Sequence, residues 1–208
     1  MVVFDLDGTL VDTIGLIVAS YQHAFTTVLG REEDEMLIRS WIGQPLIRGF
    51  RSVSPEHADT LFETYLAWNH ANTERLIRRY EGIDSLLGDL VGSGVRIAAA
   101  TSKLRGPAEM AVRLTGLDAY LDTLVTMEDT SEHKPDPAPL LLALNRLGAE
   151  PGESAYVGDA VVDVQAARNA GMSAVGVTWG AGHPEDVAAA EPDVLAGTVA
   201  DLRAALLG

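Results

Sequence analysis

Five short apolar runs, Met1 to Phe4, Val95 to Ala100, Thr123 to Thr126, Ser154 to Val157 and Ser173 to Val177, are each followed by a turn signal. The runs are continuous rather than alternating, so each reads as a strand buried on both faces, the pattern of a parallel sheet covered by helices. Between the last four lie Gly106 to Gly116, Asp136 to Leu147 and Ala160 to Ala170, with apolar residues at helical spacing. Strands alternating with helices predict a doubly wound, Rossmann-like α/β layer.

The first interval breaks the rhythm. About 80 residues separate the first strand from the second, far more than one crossover helix takes. Gly15 to Leu29, Asp34 to Trp41 and Pro55 to Arg78 are helical in pattern, with no convincing strand among them. We therefore expect an inserted all-helical domain over residues 15–80, on an α/β core made of residues 1–14 and 81–208. Its hinges are expected near Thr13 to Gly15 and Tyr80 to Gly82. The Ala-rich stretch Pro184 to Gly208 is expected to end the core with one or two short helices.

Charge narrows the choice of partner. The 208 residues carry 30 acids against 15 bases, a formal net charge of −15. Phosphate backbones and anionic membranes call for a basic face, so neither nucleic acid nor membrane is expected as partner. A 47% apolar composition is ample for a buried core. Cysteine is absent, which excludes disulfides, thiolate metal sites and cysteine nucleophiles and suits a reducing cytosol. The opening decapeptide places acids fifth and seventh, where a signal peptide needs an apolar stretch, and no run approaches a membrane span. These features lead us to expect a soluble, cytoplasmic protein. Of the basic residues 13 are arginine and only two, Lys103 and Lys134, are lysine. Those positions are candidates for needing a compact ammonium in place of a planar guanidinium.

In doubly wound sheets ligands bind beyond the carboxyl ends of the strands. The polar residues there form a coherent set: Asp5-Leu6-Asp7-Gly8-Thr9 after the first run, Thr101-Ser102-Lys103 after the second, His133-Lys134-Pro135-Asp136 before the fourth, and Gly158-Asp159 with Asp163 after it. Carboxylates crowded into one cleft are tolerable when a metal cation neutralises them. Magnesium suits oxygen ligands and a phosphate-bearing substrate, and no histidine pair has transition-metal spacing. Asp5 and Asp7, two apart at a strand end, can share one cleft, where one attacks phosphorus while the other moves the proton. Asp159 and Asp163, four apart at a helix start, share one face and can complete the metal site. The Thr101 and Ser102 hydroxyls and the Lys134 ammonium can meet phosphoryl oxygens.

Read in order, DLDGT, a hydroxyl after a strand, a lysine, and Gly-Asp with a further Asp four residues on resemble the four motifs of the haloacid dehalogenase superfamily, and the resemblance spans the whole chain. It implies an aspartyl-phosphate formed on Asp5, with Asp7 as general acid and base. It implies Mg2+ held by Asp5, the Asp7 carbonyl and Asp159 with Asp163 in support, and phosphate bound by Thr101, Ser102 and Lys134. An acid at position 7 resembles phosphatases and mutases rather than the dehalogenases. The helical insert is similar to phosphoglycolate phosphatase caps. Trp68-Asn69-His70, Tyr80-Glu81, Trp41-Ile42-Gly43 and the stretch KPDPAPLLLALNRLGAEP are most similar to the inorganic pyrophosphatase branch. The β-phosphoglucomutases carry a cap histidine near the place of Ile17, which cannot do that job.

The expected activity is thus a magnesium-dependent phosphohydrolase acting on pyrophosphate or a small phosphate monoester. A phosphotransferase or mutase of the same superfamily stands as one alternative. A non-enzymatic phospho-acceptor module is another, against which Asp7 and the insert argue. Gln44 and Arg48, after the Gly43 turn, are candidates to face the cleft and read the leaving group. Asp12 and Thr13 are expected to cap the first helix of the insert, and Glu32 to Glu35 to form a solvated first turn. The histidines are scattered, and Trp41, Trp68 and Trp179 are expected to pack. The sequence leaves monomer and homodimer equally open.

Overall fold

The computed structural model describes residues 1–208. In chain order its strands are β1 (Val2–Phe4), β2 (Val11–Asp12), β3 (Arg78–Arg79), β4 (Ile97–Ala100), β5 (Thr123–Val125), β6 (Ala155–Gly158), β7 (Ser173–Val177) and β8 (Val194–Ala196). The helices are α1 (Ile14–Leu29), α2 (Glu35–Ser40), α3 (Leu46–Val53), α4 (Ala58–Leu76), α5 (Ile83–Gly92), α6 (Arg105–Leu114), α7 (Ala138–Leu147), α8 (Val161–Ala170), α9 (Pro184–Ala189) and α10 (Val199–Leu207).

Six strands make one parallel sheet in the order β5-β4-β1-β6-β7-β8. Side chains of β1 alternate between its faces as a strand requires. Val2 and Phe4 join a cluster with Leu86, Leu90, Ala108 and Leu202 of α5, α6 and α10. Val3 joins Leu140, Leu144, Val164 and Val187 of α7, α8 and α9 on the other side. With both faces covered, the sheet's open chemistry is confined to its edges and strand ends. The order puts β1 between β4 and β6, so the residues following those three strands converge on one crevice.

The five strands read from sequence are present within one or two residues, and a sixth, β8, lies between α9 and α10 where only helices were expected. It was missed because it is three residues long and half-exposed at the sheet edge. The expectation of no strand between residues 15 and 80 and the core is likewise corrected. β2 and β3 form an antiparallel ribbon, Val11 opposite Arg79 and Asp12 opposite Arg78. Two-residue strands carry no periodicity to read. Helices α3 and α5 were also not anticipated.

Helices α1 to α4 lie between the two ribbon strands and enclose their own apolar cluster, which includes Ile17, Tyr21, Phe25, Ile38, Phe50, Leu61 and Tyr65. The Tyr21 ring lies 4.9 Å from both Phe50 and Tyr65. Thr13 occupies the N-cap of α1, but its hydroxyl makes no capping bond and is buried without a partner. The expected side-chain cap is therefore not made. Asp34 does cap α2, accepting from the Met36 and Leu37 amides at 2.7 and 3.3 Å. No helix is long and apolar enough to cross a membrane.

Candidate active site

Asp5 leaves the end of β1, where its amide still bonds Val157 of the neighbouring strand, and its side chain is 2% exposed. Three residues on, the chain turns at Gly8 with φ +83°, a backbone region that side-chain-bearing residues rarely adopt. A Cβ at Gly8 would also collide with the Asp159 carboxylate. The turn thus brings Thr9 beneath the acids, and its hydroxyl donates to Asp159 Oδ1 at 3.1 Å. The amide of Ala181, in the loop after β7, donates to the other oxygen at 2.7 Å. Trp179 anchors that loop by donating from Nε1 to the Thr9 carbonyl at 3.2 Å.

Asp163, in the first turn of α8, accepts from the Ala160 amide through Oδ2 at 3.0 Å. Its Oδ1 receives the Lys134 ammonium at 2.6 Å, and the Tyr156 hydroxyl lies 3.2 Å away. Lys134 also donates to Tyr156 at 3.0 Å and lies 3.0 Å from Asp5 Oδ1, yet outside hydrogen-bond geometry with it. Asp5, Asp159 and Asp163 each offer an oxygen within 4.8 Å of the others, and all three are buried.

Such a cluster is electrostatically overloaded. Burial pushes the Asp5 carboxyl well up, a rise the Lys134 ammonium reduces and the charges of Asp163, Asp159 and Asp7 renew. Burial likewise pushes Asp159 up to about 7, with Asp163 adding to it and the Ala181 amide and Thr9 hydroxyl opposing. Burial alone would discharge Lys134, but Asp163 and Asp5 hold its pKa well above the ordinary value. One ammonium cannot balance three carboxylates. A buried, unpartnered Asp5 oxygen beside two further acids is a donor set a hard divalent cation fits.

In front of Asp5 opens a cavity of about 60 Å³. Asp5, Asp7, Thr101, Ser102 and Lys103 form its sheet side, and Ile17, Tyr21, Trp41, Gln44, Tyr65 and Asn69 are among its other walls. Thr101 follows β4, its amide bonding Val125 and its hydroxyl accepting from the Lys103 amide at 3.2 Å. Ser102 Oγ is buried without a partner. The Asp7 carboxylate stands apart from the acid triad and meets the Lys103 ammonium at 3.0 Å through each oxygen. Of the residues read from sequence, the structure brings Asp5, Asp7, Thr101, Ser102, Lys134, Asp159, Asp163 and Gln44 together. Arg48 is exposed on α3 and lines no part of the cavity. Sequence reasoning missed Tyr156, the Ala181 amide and the Lys103–Asp7 pair. Gly180 and Gly182, closely packed on Asp159 just after a strand end, were the available signal.

An open-edged parallel sheet with this crevice and buried acid triad defines a haloacid dehalogenase-like hydrolase; that family's model matches residues 2–177, and the chain belongs to it. Pyrophosphatase PpaX of Bacillus velezensis is 38% identical over 201 residues, covering 97% of this chain and 93% of its own. A predicted phosphatase from Clostridium acetobutylicum superposes with a TM-score of 0.89 at 26% identity, over 99% of this chain and 97% of the other. A predicted phosphoglycolate phosphatase from Haemophilus somnus shares the fold, with the same TM-score at 24% identity, over 99% and 97% of the two chains.

Proposed function

We propose that this hydrolase cleaves inorganic pyrophosphate, or a small phosphate monoester of the phosphoglycolate type, through an aspartyl-phosphate on Asp5. The observation that carries the reading is the Asp5 carboxylate itself, which lines the cavity while its buried Oδ1 lies 3.0 Å from the Lys134 ammonium without a hydrogen bond. Asp5 attacks phosphorus, the bond to the leaving oxygen breaks, and its electron pair departs with that oxygen, which takes a proton from Asp7. Water then attacks the aspartyl-phosphate, Asp7 takes the water's proton, and the Asp5–phosphorus bond breaks to free phosphate.

Thr101 and Ser102 donate hydroxyl bonds to the phosphoryl oxygens, and Lys134 supplies the fixed positive charge behind Asp5. Asp5, the Asp7 carbonyl and Asp159 would hold Mg2+, with Asp163 and Thr9 orienting the set. The ion supplies charge neutralisation of the acids and of the phosphoryl group. Residues 15–80 act as a cap on a core of residues 1–14 and 81–208, closing the cavity against bulk water. Similarity to PpaX supports pyrophosphate, and Ile17 on the cavity wall, in place of a proton-carrying histidine, supports hydrolysis over phosphoryl transfer between sugars.

A phosphate-release screen over pyrophosphate, phosphoglycolate and small sugar and nucleotide phosphates tests this. Release is expected to need Mg2+ and to fall at least about a thousandfold in Asp5→Asn, on the scale seen when a nucleophile is removed. Undiminished release by Asp5→Asn would sink the mechanism.

A further inference from the structure

The two lysines of this arginine-rich chain have different fates. Lys134 is 1% exposed and committed behind Asp5 to Asp163 and Tyr156. Lys103 is the only cationic side chain lining the cavity, and it grips Asp7 through both carboxylate oxygens at 3.0 Å. Two of its three N–H donors serve that one carboxylate, which leaves a third. Its backbone is fixed on both sides, the amide donating to Thr101 Oγ1 at 3.2 Å and the carbonyl accepting from Met127 at 3.0 Å.

Position decides what that ammonium can read. A general acid works at about 2.6–3.2 Å from the oxygen it protonates, so an ammonium on Asp7 stands within about 6 Å of the leaving oxygen. The wall opposite offers no charge. Gln44 donates its amide to the Ser40 carbonyl at 3.0 Å, and Asn69 donates to Ser20 Oγ at 3.0 Å. Arg48 lies outside. Among the cavity's side chains, a negative charge on the leaving group therefore finds its counter-charge only at Lys103, with the unpartnered Ser102 hydroxyl as the neighbouring donor.

We propose that Lys103 binds the leaving group and selects phosphoryl compounds whose leaving group carries its own anion near the bridging oxygen, a second phosphate or a carboxylate. The proposal rests on the assignment of Asp7 to the leaving oxygen, and it moves substrate selection from the cap to the sheet edge.

The test compares kcat/KM for pyrophosphate and phosphoglycolate with that for ethyl phosphate and p-nitrophenyl phosphate, in the wild type, Lys103→Met, Lys103→Arg and Arg48→Met. Leaving-group basicity is matched between pyrophosphate and p-nitrophenyl phosphate and between phosphoglycolate and ethyl phosphate, so an effect of Lys103 exerted through Asp7 falls about equally on both members of each pair and cancels in that pair's ratio. Losing a hydrogen bond to a charged group predicts that Lys103→Met lowers the charged-to-neutral ratio about 10- to 100-fold, with Lys103→Arg recovering part of it. An unchanged ratio in Lys103→Met, or a fall in Arg48→Met instead, overturns the proposal. Cleavage of the esters but not of pyrophosphate would remove only the pyrophosphate reading above. If the wild type releases phosphate from none of the four, or Lys103→Met does not fold, imidodiphosphate binding to Asp5→Asn, alone and combined with Lys103→Gln, decides. A Kd raised about tenfold or more supports the proposal, and an unchanged one overturns it.

Discussion

The three acids of the triad are held differently. Asp159 is gripped by the Thr9 hydroxyl and the Ala181 amide, Asp163 by Lys134 and its own helix start, and Asp5 keeps one oxygen unbonded. Burial and mutual repulsion raise Asp5 and take Asp159 to about 7. A carboxyl raised on folding favours the folded state fully below its unfolded value, near 4, and that contribution disappears as pH rises through about 7. In chelator, the melting temperature is thus expected to fall between about pH 5 and pH 8, and Mg2+ at the upper end to restore it. A melting temperature flat across that window, unaffected by Mg2+, would count against the triad as a cation site. Asp5 and Asp159 were legible in sequence because each follows an apolar run, and Lys134 because it falls in order among the motifs of a chain with only two lysines. Tyr156 was not, since it looks like one more strand residue until the fold turns its hydroxyl toward Lys134. The Ala181 amide has no side-chain signature at all.

At the scale of elements, continuous apolar runs announced five of the six strands of the main sheet, and helical spacing announced the helices between them. What escaped was short or positioned by tertiary contacts: the ribbon of β2 and β3, the edge strand β8, the eight-residue α3, and α5, which lay in the ambiguous return from the insert. The last helix shows how local chemistry sets a boundary. Thr198 accepts from the Asp201 amide at 3.1 Å while Asp201 accepts from the Thr198 amide at 2.9 Å, a reciprocal cap that starts α10. Thr198→Ala is expected to lower stability to urea by about 1 kcal/mol. Since α10 packs behind the sheet through Leu202, kcat/KM should stay at the wild-type value. A wild-type urea midpoint would mean the cap contributes nothing.

Across the whole molecule the apolar interior is divided. Two clusters flank the sheet, and the third belongs to α1 to α4. Phe50 is fully buried in that third cluster, 4.9 Å from the Tyr21 ring and 5.7 Å from Phe25. Phe50→Ala is expected to cost about 3–5 kcal/mol there. If the helices form a separately cooperative cap, hydrogen exchange should quicken across α1 to α4 while β1 and β4 amides keep their protection. Uniform loss of protection across both would instead make the chain one cooperative unit. The net charge of −15 also divides, since the buried triad is a local excess while most of the remaining acids face solvent.

The ribbon of β2 and β3 has a further meaning. Because Asp12 lies opposite Arg78, the chain departs from the sheet layer and rejoins it at one point. Everything between begins and ends at that shared point, so its length hardly affects the entropy of closing the loop. The four helices are in this sense an interchangeable attachment. A change in their length is thus expected to leave the spacing among Asp5, Thr101, Lys134 and Asp159 as it is.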